Sequence, residues 1–173
     1  YRHYLNERVL TDVEIDLITE WISSGMSEGN KTKESLPVKR LYNKTVPDLT
    51  LTMSESYDIP NSNEDDFRFF HLPMDISELR YLRAIEFIPG NRRYVHHSRM
   101  MVDSTQNMSG IDGMSELDPK VSEFQKTPLA DEFLYGWVPG SFPLFFPDGV
   151  GKRLEPNADL ILNIHYSPTG RNQ

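Results

Sequence analysis

His96 and His97 stand side by side in "YVHHSRMMVD", and a third histidine, His165, closes the apolar run "LILNIHY". A neutral imidazole is a good ligand for copper or zinc. Three of them without a thiolate or carboxylate make a set suited to either ion. The spacing of the adjacent pair leaves two arrangements open. Strand side chains alternate faces, so one ring would enter a core and hydrogen-bond there while its neighbour meets water. A β-bulge or strong local twist would instead turn both rings to one point, and coordination through Nδ1, the ring nitrogen nearest the backbone, would shorten the reach. His165 ends a strongly apolar strand, where an imidazole is costly to bury unless something satisfies it.

The remaining candidates have plainer readings. His71 in "FRFFHLPMD" reads as structural, packed at a strand end beside a proline turn, and His3 reads as solvated. Met100 and Met101 carry thioethers, yet apolar residues after a histidine pair are more often core. Asp65 and Asp66 read as a solvated turn. Asn-x-Ser/Thr sequons begin at Asn30, Asn43 and Asn107 and have meaning only in a eukaryotic secretory pathway. A three-histidine zinc hydrolase would need a carboxylate base, for which Glu86 is the nearest acidic residue before the pair.

The elements that must position these residues follow from hydrophobic periodicity. Thr11 and Glu14 fit a capping box, Val13, Leu17, Ile18, Trp21 and Ile22 share one helical face, and Gly25 supplies a stop, which predicts a helix over 11–25. From Pro47 the pattern turns to short strands: alternation at Leu49, Leu51 and Met53, then "FRFFHL", "YLRAIEFI", "YVHHSRMMV", "FLYGWV", "SFPLFF" and "DLILNIHY". The third and fourth of these, joined by "PGN", are expected to pair as a hairpin. Residues 104–132 are polar and punctuated by Gly and Pro, a long loop of the functional or flexible kind. With no second helix in sight, the fold class is mainly β, an antiparallel β-sandwich with one N-terminal α-helix.

Bulk composition narrows the function classes. In 173 residues, 38% are hydrophobic and 25% charged, which gives a globular chain, and the formal charge of −8 argues against nucleic acid, whose phosphates need a basic surface. No apolar run reaches the length of a membrane span. There is no cysteine, which removes disulfides, thiolate catalysis, Cys-ligated metals and covalent haem attachment within the chain.

Three stretches, "AIEFIPGNRRYVHHSRMMVD", "YGWVPGSFPLFFPDGVGKRL" and "LILNIHYSPTG", together resemble the N-terminal domain of the copper type II, ascorbate-dependent monooxygenases. That family includes the peptidylglycine α-hydroxylating and dopamine β-monooxygenases. The resemblance spans about residues 47–173 and rests on the order of its motifs. It implies an eight-stranded jelly-roll sandwich holding one copper ion, Cu(I) or Cu(II), through His96, His97 and His165. It departs from the family's eukaryotic members in having no cysteine to brace the domain. The family's second domain, with the other copper where oxygen and substrate meet, has no ligands among these residues. The stretch "NERVLTDVEIDLITEWISSGMSEGN" resembles the C-terminal helix of a c-type cytochrome, although a simple domain-capping helix fits it equally well.

The expected organisation is therefore a cytochrome-like helix over 1–30, a linker over 31–46 and the copper domain over 47–173. The resemblance implies a bacterial, extracytoplasmic protein whose partners are a second copper domain, a haem domain and a small-molecule or peptide substrate. This chain would store and deliver one electron and would not turn over alone. The alternative is a non-catalytic β-sandwich interaction module with a vestigial metal site.

Overall fold

The structure, a computed structural model, describes residues 7, 9–30, 46–125, 133–168 and 170. The chain divides after Thr45 into two compact units. Most of the expected linker, together with His3 and Asn43, lies outside the described residues.

In the first unit the helix α1 spans Asp12–Ser23. Its start is the expected capping box: the Glu14 backbone N–H donates to Thr11 Oγ1, and the Thr11 backbone N–H donates to Glu14 Oε2. These bonds satisfy amides that a helix start leaves without partners. They also hold the Glu14 carboxyl below its ordinary pKa, the Thr11 backbone bond being the larger cause. Gly25, at φ 94°, ends the helix in a backbone conformation that glycine tolerates without strain. No residue of the helix is buried.

The second unit is mainly β, with eight strands among its described residues arranged in three antiparallel sheets. β1 (Asp66–Pro73), β4 (Val95–Asp103), β5 (Phe133–Trp137) and β8 (Asp159–Tyr166) form one sheet in the order β1-β8-β4-β5. β2 (Arg80–Leu82) pairs with β7 (Lys152–Leu154), and β3 (Ala84–Ile85) with β6 (Leu144–Phe145). The antiparallel architecture is the expected one; the finer expectation of a jelly roll goes beyond these ladders.

The four-stranded sheet is covered on both faces. One face carries the main core, including Phe70, Leu72, Met100, Val102, Leu162 and Ile164. The opposite face carries a smaller core of Phe69, Met101, Met108, Ile111, Val121 and Ile161. A strand buried on both faces loses its polar alternation. β8 accordingly reads "DLILNIHY", buried at every position after Asp159.

Three sequence expectations are corrected. The "YLRAIEFI" segment does not form a hairpin with β4: it splits into β2 and β3, which pair with β7 and β6. The reason is that β8 and β5 already occupy the two edges of β4. Residues 49–53 keep alternating burial at Leu51 and Met53, which pack on the main core, but form no strand. Finally, the stretch after β4 is more than a polar loop. It contains a 3-10 turn (Ser109–Ile111) and a short helix α2 (Pro119–Gln125), and it supplies Met108, Ile111 and Val121 to the second core.

Candidate metal centre

His97 and His165 face each other across the β4–β8 ladder, because β1, β8 and β4 align Phe67, His165 and His97 in one row. Strict alternation would send His96 to the other face. The ladder is irregular at that point: Val95 opposes Tyr166 and His97 opposes His165, so His96 is the additional residue of a bulge. Such an insertion re-aims a side chain. Of the two arrangements open to the adjacent pair, the structure has the convergent one.

The convergence is through Nδ1 on all three rings. His96 Nδ1 lies 3.2 Å from His97 Nδ1 and 3.1 Å from His165 Nδ1, and the last two lie 3.3 Å apart. Among the described residues these three form the group of side chains able to hold a metal ion, and no carboxylate joins it. Neutral imidazoles carry one N–H each, so at least one of the three close contacts is difficult to satisfy by hydrogen bonding alone. A cation resolves that conflict. The centre of this near-equilateral triangle is about 1.85 Å from each corner, close to the ~2.0–2.1 Å of a metal–imidazole bond. The residues fit one ion.

The surroundings hold the rings in place. Phe67 stacks on His165 with centroids 4.1 Å apart and planes 11° from parallel, and meets His97 edge-on at 6.3 Å. His165 Nε2 donates to Asp65 Oδ1 at 2.7 Å. One row further along the sheet, Arg99 donates to Asn163 Oδ1 from both Nε (3.0 Å) and Nη2 (2.7 Å), which fixes a guanidinium two residues after His97. His165 is buried at 8% exposure, while His96 lies at the surface.

His97 has its pKa lowered, first by burial, then by repulsion from His165, His96 and Arg99. The proton is thereby disfavoured on a ligand that must be neutral to bind metal. The sign of the stability effect follows. The unfolded chain protonates at the ordinary histidine value near ~6.5, while the folded chain resists protonation until lower pH. Unfolding then takes up a proton in the interval between the two values, and stability falls as pH falls through it. The metal-free protein is expected to lose thermal stability as the buffer is taken below pH ~6.5, and the His97→Gln variant to lose less. Equal pH slopes for the two in thermal melts would contradict this.

The other sequence candidates do not join the centre. His71 donates from Nε2 to Asp159 Oδ2 at 2.8 Å, and its backbone N–H donates to Asp112 Oδ1, so it is structural as expected. Met100 and Met101 are buried, one in each core. Glu86 is exposed and outside the ligand group. Asp103 and Tyr166, which lie near the ligands in sequence, do not serve the rings. Asp103 lies six residues beyond His97 along β4, about 20 Å away at strand rise, and accepts from Thr105 and Met108 of its own loop. Tyr166 points into the main core and stacks on Tyr57, and burial pushes its hydroxyl pKa up to about 12.

The acidic pair is the main residue set that sequence reasoning missed. Asp66 accepts from Tyr57 Oη at 2.6 Å and from Arg68 Nε at 2.7 Å, and Asp65 reaches His165. The available signal was the alternation of "DDFRFF", which puts 65, 67 and 69 on one face; its relation to His165 depends on strands a hundred residues apart.

No helix among the described residues is long and apolar enough to cross a membrane. No protein-family model matches the chain, and no curated protein matches it.

Proposed function

We propose that this chain is the first-copper, electron-transfer domain of a bacterial, extracytoplasmic copper monooxygenase-like protein, with its ladders part of a jelly roll. The observation that carries the reading is the triangle of three Nδ1 atoms at 3.1–3.3 Å, built by a bulge at the adjacent pair. His96, His97 and His165 hold the ion; a bound copper supplies storage for one electron. The bulge gives His96 its orientation, the β4–β8 register gives His97 and His165 theirs, and Phe67 excludes water from the His165 ring face. Copper is preferred to zinc on two grounds. Nitrogen sites bind Cu(II) more tightly than Zn(II), and the ligand group contains no carboxylate to act as a hydrolytic base.

In this reading the partners are a second copper domain, where oxygen and a small-molecule or peptide substrate react, and a haem domain. The test is copper titration followed by ascorbate. One tightly held copper per chain, reduced by one electron and with no hydroxylation by the chain alone, is the expected result. Failure to retain copper, or retention of copper that ascorbate does not reduce, would favour a non-catalytic interaction module instead.

A further inference from the structure

Among the described residues, His165 is the one ring of the three whose outer nitrogen meets a carboxylate: its Nε2 lies 2.7 Å from Asp65 Oδ1. An ionised carboxylate only accepts, so the proton of this ring sits on Nε2 and Nδ1 presents its lone pair to the other two rings. Asp65 is aimed there by its neighbours. Asp66 is held on the opposite face by Tyr57 Oη and Arg68 Nε, and alternation then places Asp65 and Phe67 together on the histidine face. The His165 ring is thus gripped along its edge by Asp65 and across its face by Phe67.

We propose that Asp65 is a positioning residue of the centre. It fixes the His165 tautomer and, through the ring, adds negative charge that favours the more highly charged oxidation state of the ion. The second half rests on the copper reading; the first does not need it. A carboxylate behind a ligating imidazole raises the basicity of the coordinating nitrogen, and the gain is larger for Cu(II) than for Cu(I). Because the Asp65 side chain is 57% exposed, its charge is screened by salt. The tautomer preference, set by a direct hydrogen bond, is much less sensitive to salt.

Two variants separate these roles. Asp65→Asn keeps an oxygen that can accept from Nε2 but removes the charge, whereas Asp65→Ala removes both. In the metal-free protein, long-range 15N–1H correlation spectra are expected to show His165 as the Nε2–H tautomer in wild type and a tautomer mixture in Asp65→Ala. Competition titrations with chelators are expected to show Cu(II) affinity falling ~10–100-fold in Asp65→Ala. In Asp65→Asn the ratio of Cu(II) to Cu(I) affinity should fall, a change that a purely structural role would not produce. Identical tautomer populations in wild type and Asp65→Ala would overturn the positioning role whatever the metal result. An unchanged affinity ratio in Asp65→Asn would overturn the charge effect alone. If wild type takes up no copper, the proposed function falls and the charge effect with it, while the spectra still decide the positioning role.

Discussion

His97→Ala is expected to abolish stoichiometric copper uptake, with an affinity loss beyond the ~10–100-fold that removing an outer-shell partner costs. His97 supplies one corner of the Nδ1 triangle, and no other side chain in the ligand group stands ready to replace it. Met100 and Met101 are committed to the two cores, and Arg99 is a cation held by Asn163. The loss should not come from unfolding. The His97 ring is only partly buried, and its pKa is lowered in part by the neighbouring rings, so its removal relieves repulsion once the site begins to protonate. A melt of the metal-free variant below pH ~6.5 should therefore match or exceed wild type. Copper uptake at wild-type stoichiometry and affinity would remove His97 from the centre.

The second large effect concerns the layer that covers the histidine face further along the sheet. Ile161 is fully buried, in contact with a cluster of Phe69, Met101, Met108, Ile111 and Val121. Ile161→Ala is expected to cost ~2–5 kcal/mol, the lost burial plus the cavity left behind, measured by urea denaturation. Copper affinity should change little, because the three rings are positioned by the bulge and the register rather than by this cluster. Asn163, the next residue of β8 on this face, separates the two regions. A cost below ~1 kcal/mol, well under the usual range for such a truncation, would mean that the segment after β4 is not packed on the sheet.

How much of this was legible in the sequence depended on whether the information was local. The capping box of Thr11 and Glu14 and the stop at Gly25 are local signals, and α1 appears as expected. β1, β4, β5 and β8 announced themselves by alternation or by an apolar run. Pairing was not local. Phe67 meets His165 and Ser98 meets Trp137, and nothing in either segment names its partner. The expected hairpin failed for that reason: adjacency in sequence suggested a pair, but the edges of β4 belonged to strands later in the chain. The second core was obscured because Met108, Ile111 and Val121 are isolated apolar residues in a polar stretch, without a repeat to mark a face.

The centre itself was half legible. Residue types identified the three histidines, and the resemblance to copper monooxygenases joined them, but the spacing of an adjacent pair is compatible with splayed or convergent rings. The bulge between Val95 and His97 decides between them, and a bulge has no strong sequence signature here, no glycine standing at the site. Asp65 is as exposed as "NEDD" suggests, but its contact with His165 appears only once β1 lies beside β8.

The central claim is that three Nδ1 atoms share one metal ion, and X-ray absorption on the chain loaded with one equivalent of copper tests it most directly. Three imidazole nitrogens at ~2.0 Å, a metal–imidazole bond length, with the outer-ring scattering that imidazoles give, are the predicted result. A spectrum fitted by oxygen donors with one imidazole or none would contradict it.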